Sequence, residues 1–183
     1  MKYIFTKTNL IASVLGLFGW INQSNAQICA ANNSLNCTGD YLSGITFKNS
    51  GGTSYSVSGM NCANTGPSNK LMTNGAVMDI TPGEVITMTI ENTCSFSEYV
   101  GVWIDLDGSG DYSAAECLCT SSNGFGSIPV NTTKTVSLTV PCVGVKAGKA
   151  ILRVRCMYST FTASQGCGTQ SNYGNILDFE IGR

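Results

Sequence analysis

The chain has 183 residues and no histidine, and this one absence removes most of the familiar catalytic and metal-binding constellations. A Ser-His or Cys-His nucleophile pair cannot be built, nor can a zinc site that draws on imidazole. Cys-x-x-Cys spacing is missing too; Cys117-Leu118-Cys119 is the only close pair. Charge is scarce, at 11% of residues, with ten Lys and Arg against eleven Asp and Glu. A basic face for nucleic acid is therefore excluded. No apolar run follows the first few tens of residues, and no helix-length apolar period occurs anywhere, so neither a later membrane span nor a helical bundle is expected.

The one apolar run, Leu10 to Ile21, follows Lys2 and Lys7 and gives way to Asn22-Gln23-Ser24-Asn25-Ala26. That order of basic, apolar and small polar residues describes a signal peptide over 1–26, cleaved before Gln27 and too short to span a bilayer. A lipid anchor at Cys29 is not expected, because Ala26-Gln27-Ile28 puts no small residue directly ahead of it. Residues 27–183 then form a single domain of about 157 residues. Losing Lys2 and Lys7 leaves eight basic against eleven acidic side chains, a net charge near minus three. All nine cysteines lie after the cleavage point, where an oxidising compartment makes disulfides the expected state. Eight of them allow on the order of a hundred connectivities, and one is left over to stay free or to bridge to another chain.

The remaining pattern is that of strands. In Val85-Ile86-Thr87-Met88-Thr89-Ile90 the apolar residues Ile86, Met88 and Ile90 share one face. Val136, Leu138 and Val140 repeat the alternation, as do Leu152, Val154 and Cys156 with Arg153 and Arg155 between them, and Leu177, Phe179 and Ile181 with Asp178 and Glu180 between them. Period two with one wet face is the mark of an antiparallel sheet. Arg153 and Arg155 are accordingly expected outside, paired across strands with Asp178 and Glu180. Tyr41 to Phe47 and Thr53 to Gly59 read as two further strands around an Asn-Ser-Gly-Gly turn, and Met60 to Asn74 as loop. Tyr99 to Ile104 carries no charge on either face, which fits a central strand. About seven such segments and no crossover helices make the fold class all-β, a two-layer antiparallel β-sandwich of jelly-roll or Ig-like type, linked by disulfides.

The stretch with chemistry is Asp105 to Glu116. Asp105, Asp107, Ser109, Asp111, Ser113 and Glu116 stand at positions one, three, five, seven, nine and twelve, with Gly110 at six. This is the spacing by which a tight loop turns six oxygens toward a hard dication, so Ca2+ is the expected cofactor and these six residues its ligands. Four of the eleven acidic residues fall in these twelve positions, which favours a metal loop over a solvated acidic turn. A strand, not a helix, delivers Asp105, so the loop has no lever to move and reads as a structural clamp; Cys117 and Cys119, directly after it, are expected to tether its exit through disulfides. Asp105 and Glu116 as the acid and base of a glycosidase is the weaker reading. Tyr99, Trp103, Tyr112, Phe125, Tyr158 and Tyr173 are the aromatics that could stack on sugars, with Trp103 assigned to the core.

Gly101-Val102-Trp103-Ile104-Asp105, the acidic loop from Asp107 to Glu116, Arg153-Val154-Arg155 with Tyr158-Ser159, Cys167-Gly168 and the closing Gly174-Asn175-Ile176-Leu177-Asp178-Phe179 together resemble the GEVED domain family of secreted bacterial proteins. The likeness runs from roughly Tyr41 to the C-terminus. Asn175 and Leu177 stand where the name-giving motif has glutamates and Ile176 where it has valine; Gly174 and Asp178 match. The resemblance implies a β-sandwich with a binding or structural role and no catalysis of its own. The function expected is therefore a secreted, extracellular calcium-binding module with a structural or adhesive role at the cell surface or in a matrix. A carbohydrate-binding module and a subunit of an extracellular filament are the alternatives. The expected partners are copies of the same chain or a surface glycan, with no nucleic acid and no membrane contact after signal cleavage.

Overall fold

The computed structural model describes residues 27–33, 36–73, 75–120, 122–170 and 173–183; the expected signal peptide lies outside the described residues. The period-two segments form the expected strands, β5 (Val85–Asn92), β9 (Thr132–Thr139), β10 (Lys149–Met157) and β12 (Ile176–Gly182). The Asn-Ser-Gly-Gly turn joins β2 (Gly44–Lys48) to β3 (Ser54–Ser58), both shorter than their sequence limits. The uncharged segment becomes β6 (Glu98–Ile104). Shorter pieces are β1 (Ala31–Asn33), β4 (Asn69–Leu71), β7 (Cys117–Cys119), β8 (Ser127–Ile128) and β11 (Gly168–Gln170). The 60–74 stretch also holds one helical turn, α1 (Cys62–Thr65), closed by reciprocal hydrogen bonds between Asn61 and Asn64.

Two sheets pack face to face. One is β3-β2-β5-β9; the other is β4-β12-β10-β6-β7, with β8 also paired to β6. Ile45, Phe47, Ile86, Met88, Ile90 and Leu138 from the first meet Val100, Val102, Ile104, Leu152, Val154, Leu177 and Phe179 from the second in one buried core. Burial of apolar surface at roughly 25 cal/mol per Å² is what holds the layers together. The strand pairings are antiparallel apart from β4 with β12 and β1 with β11. These two exceptions lie at the ends of long connections, where a short strand reaches a free edge in either direction.

The β1-β11 pair adds a third layer that the alternation does not reveal. The Cys29–Cys167 disulfide fastens it, and it covers the outer face of β10. Arg153 and Arg155, expected in solvent, are instead fully buried. Arg153 pairs with Asp178, its register partner on β12, through Nε to Oδ1 and Nη2 to Oδ2, both at 2.8 Å. Its Nη1 donates to the carbonyls of Cys29 and Gly166, and its guanidinium lies 4.6 Å from the Tyr112 ring centre. Arg155 donates to the carbonyls of Asn32, Gln165 and Gly168 and to the Asn33 side chain. Burial, and then the neighbouring charge of Arg153, lower its pKa to about 10. Glu180 pairs not with an arginine but with the exposed Lys149, at 2.6 Å. Trp103, Tyr112, Met157 and Phe161 form a second apolar cluster beneath the same cover. Gly101 is required there, because a Cβ at that position would stand 2.0 Å from the Phe161 ring.

Cysteine pairing is sparser than composition suggests. Cys29–Cys167 and Cys37–Cys62 are bridged, whereas Cys94, Cys117, Cys119, Cys142 and Cys156 are free thiols. Cys119 and Cys156 fill the core between the sheets as small apolar groups do.

The core also holds Glu98, fully buried. Its carboxyl accepts from the thiols of Cys156 at 2.9 Å and Cys94 at 3.6 Å and hydrogen-bonds to Asp40. Burial pushes its pKa to about 8, with the Asp40 charge acting in the same sense against the opposing thiol bonds. Between the ordinary carboxyl value near 4.5 and about 8, the folded chain keeps a proton that the unfolded chain releases. Stability is accordingly highest below the lower value and declines as pH rises toward the upper one. The thermal midpoint should fall from pH 5 to pH 8, and Glu98→Gln, which mimics the neutral form, should flatten that fall. Equal slopes for the two proteins would contradict the assignment.

Candidate metal centre

β6 ends at Ile104 in the middle of its sheet, with Asp105 still tied to β10 by its amide on the Ile151 carbonyl at 2.9 Å. From there the loop is pinned by two apolar residues facing opposite layers. Leu106 enters the core between the sheets, and Tyr112 enters the outer cluster with Trp103 and Phe161. Gly110 takes φ 85°, a left-handed conformation that a side chain would strain, at the position where the loop reverses. Arg183, at the end of β12, donates through Nη1 to the carbonyls of Asp105 and Leu106. The Lys146 amide donates to the Leu106 carbonyl at 2.9 Å. The loop is thus anchored on three sides before any ligand is considered.

Within it, Asp105, Asp107 and Glu116 bring a carboxylate oxygen each to within 4.8 Å of one another. The Ser109 amide donates to Asp105 Oδ1 and Asp107 Oδ1 at 3.1 and 2.8 Å, and the Gly110 amide to Asp105 Oδ2 at 3.2 Å. Glu116 accepts from the Leu106 amide through Oε1 and from the Ser113 amide and hydroxyl through Oε2. Asp105 and Glu116 are buried while Asp107 is half-buried. Burial raises the Asp105 pKa, the Gly110 amide counters it, and the charges of Glu116 and Asp107 raise it further. Hydrogen bonds from the Ser109 hydroxyl and amide keep Asp107 below the usual range, helped by the Lys146 charge. Three carboxylates in so small a space, two of them removed from water, repel one another; a dication placed among them would turn repulsion into attraction.

The other three predicted ligands are placed differently. Ser109 serves the carboxylates through its amide, and its hydroxyl lies 3.5 Å from the Asp111 carbonyl. Ser113 is bonded to Glu116. The Asp111 side chain turns away, with Oδ1 3.8 Å from Cys167 Sγ. A loop of this spacing uses the main-chain carbonyl at position seven, so the turned side chain does not disqualify Asp111. The sulfurs of Cys29 and Cys167, which lie beside it, are consumed in a disulfide and are not thiolate ligands.

The loop's exit departs from expectation. Cys117 and Cys119 are both unpaired, their thiol pKa values pushed by burial to about 11 and about 12. The exit is held by main-chain pairing, with Cys117 opposite Trp103 and Cys119 opposite Val102 across an irregular register. The covalent tether lies behind the loop instead. Cys29, of the Cys29–Cys167 bridge, donates its amide to the Gly110 carbonyl at 2.6 Å. Nothing in local spacing marks this contact, because the two cysteines are 138 residues apart.

A family model described as the GEVED domain matches residues 99–182. The chain carries a GEVED domain. The matched span contains β6, the acidic loop, β10 and β12, and thus the buried Arg153–Asp178 pair. It leaves out β2, β3 and β5, so it is narrower than the likeness drawn from Tyr41 onward. The aspartate of the name-giving motif, Asp178, is the partner of Arg153. At the first departure from that motif, Asn175 accepts the Leu42 amide at 3.2 Å and donates to Thr65 Oγ1 at 3.1 Å in a fully buried position. A neutral amide, donor and acceptor at once, fits this environment where a carboxylate would lack a donor to Thr65. No curated protein and no solved structure matches the chain. Among the described residues no helix is long and apolar enough to cross a membrane.

Proposed function

We propose that this GEVED protein is a secreted module whose Asp105–Glu116 loop binds calcium as a structural clamp, presenting the surrounding loops for a structural or adhesive contact outside the cell. The observation that carries the reading is the convergence of Asp105, Asp107 and Glu116 within 4.8 Å on a loop anchored by Leu106, Tyr112 and Arg183. Asp105, Asp107 and Glu116 would supply carboxylate oxygens, Ser109 and Ser113 hydroxyls, and Asp111 its main-chain carbonyl. The bound ion would relieve the mutual repulsion of the three carboxylates and so add stability. Secretion is supported by the leader-like N-terminus and by the two disulfides. The loop springs from a sheet with no helix to swing, so the ion would stiffen a surface and would not switch one.

Extracellular calcium modules bind at about 10⁻⁴ to 10⁻³ M. At the tighter limit, 10 mM calcium adds about 2.7 kcal/mol, which in a domain of this size raises the thermal midpoint by roughly 5–10 °C. Scanning calorimetry in 10 mM calcium against chelator reads this directly. Asp107→Asn keeps an oxygen for the Ser109 amide but drops a charge, and should lose most of the shift with little change in chelator. Coincident midpoints for the unaltered protein in calcium and chelator would refute calcium binding.

A further inference from the structure

On the same sheet as the calcium loop, but at the opposite end of β6, lies an open cavity of about 390 Å³ lined by Ser97, Tyr99, Ser127, Tyr158, Ser159 and Thr160. Tyr99 is its centre. In register it stands between Ser127 of β8 on one side and Met157 of β10 on the other, with Tyr158 following directly. All six lining residues carry a hydroxyl and none carries a charge. Among the described residues none of the six hydroxyls has a protein hydrogen-bond partner, in contrast to Thr46 with Ser56 and Thr89 with Thr135, which bond to each other on the other sheet. The rim is aromatic. Tyr158 is 54% exposed and Phe96 49%, and Phe96 meets Tyr158 edge to face with 6.0 Å between ring centres. That contact holds the Tyr158 ring in place while leaving much of it open to solvent. Of the six aromatics singled out in the sequence, Trp103, Tyr112 and Phe125 are buried and Tyr173 is exposed but not in the lining; Tyr99 and Tyr158 are the two this cavity brings together.

An uncharged wall of hydroxyls beside a fixed, exposed aromatic ring suits a ligand that is itself a polyol with apolar C–H faces. The hydroxyls exchange hydrogen bonds with the ligand in either direction, and the ring covers its C–H face. Anionic ligands find no cation in the lining, and β6 itself offers a peptide strand no free edge, since it is already paired on both sides. We infer that this cavity is a binding site for an uncharged polysaccharide, with Tyr158 as the stacking platform and Tyr99, Ser127 and Ser159 as hydrogen-bonding partners. The inference deepens the adhesive reading by naming its ligand class, and it is independent of calcium binding.

Affinity electrophoresis of the folded protein in gels containing soluble β-glucan, xylan or galactomannan, with polygalacturonate as the charged comparison, tests it. The unaltered protein should be retarded in at least one neutral gel more than in polygalacturonate. Tyr158→Ala should weaken that retardation by about tenfold in dissociation constant while leaving the thermal midpoint unchanged, because the ring is largely outside the core. Tyr99→Phe, which removes only a hydroxyl, should weaken it less. No retardation in any neutral gel, retardation only in polygalacturonate, or retardation indifferent to Tyr158→Ala would each overturn the inference. Adhesion to cell-surface and matrix preparations, measured in parallel, separates this from the broader reading. Adhesion by the unaltered protein with no retardation in any neutral gel overturns the polysaccharide site and leaves the adhesive function standing, whereas absence of adhesion by the unaltered protein removes that function.

Discussion

Asp178→Leu should destabilise the protein by about 3–5 kcal/mol, the loss typical of stranding one member of a buried ion pair. Arg153 is fully buried and Asp178 nearly so, and the paired 2.8 Å bonds are the only carboxylate contacts the guanidinium makes among the described residues. Burial alone would lower the Arg153 pKa; the interactions around it, led by the Asp178 hydrogen bonds, more than offset it. Once Asp178 is replaced, a full positive charge remains in the interior beside carbonyls, the Cys29 sulfur and a tyrosine face, with no carboxylate on it among the described residues. Replacing both residues, Arg153→Met with Asp178→Leu, should recover at least half of the loss, since the uncompensated charge is then gone. The Lys149–Glu180 pair on the same two strands, whose lysine is exposed and whose glutamate is half-buried, sets the contrast, because pairs open to water contribute about 0–1 kcal/mol. Urea denaturation at pH 7 measures all three. A single Asp178→Leu variant within about 0.5 kcal/mol of the unaltered protein would show that the pair is not what fixes β10 to β12.

Removal of the Cys29–Cys167 bridge by paired serine substitution should cost about 2–5 kcal/mol and, in addition, shrink the stabilisation proposed for calcium. The first effect follows from the length of chain the bridge closes, 138 residues against 25 for Cys37–Cys62. In the chain-entropy account that difference alone is about 1.5 kcal/mol in favour of the longer loop. The second follows from position. Cys29 supports the back of the acidic loop through Gly110, and its carbonyl receives Arg153; without the bridge, the 27–33 segment is no longer fastened there. Cys37–Cys62 lies elsewhere, beside Asn36, whose carbonyl receives the Gly174 amide. Its removal should lower stability less and leave the calcium-dependent rise in midpoint intact. Equal losses of that rise in both variants would mean that general loosening, and not the support behind Gly110, governs the loop.

Much of the fold was legible because a strand with one wet face writes its burial into the sequence as period two. Ile86, Met88 and Ile90, or Leu177 and Phe179, are buried where the alternation puts them. The same rule misplaced Arg153 and Arg155. Alternation reports polarity, and a polar residue between two core residues reads as solvent-facing until something covers it. Here the cover comes from residues 27–33 and 163–170, far from β10 along the chain. The thiols were misjudged for a related reason: an oxidising compartment permits a disulfide, but only proximity makes one. Glu98 and Asp40 carried no local signal at all, since a buried carboxyl pair looks like any two scattered acids.

The alternating oxygen-bearing residues from Asp105 to Glu116 and their attachment to the uncharged run Tyr99 to Ile104 are local properties, and short-range chain geometry was enough to determine them. So were the all-β class and the inward faces of the long strands, each of which depends only on neighbours two residues apart. Tertiary structure decided what stands behind the loop and which aromatics reach the surface. It also set aside Cys117 and Cys119 as a tether in favour of Cys29–Cys167. Those outcomes depend on which distant segments pack over the outer face of the β12-β10-β6 sheet, and contacts across more than a hundred residues leave no periodic trace in the sequence that makes them.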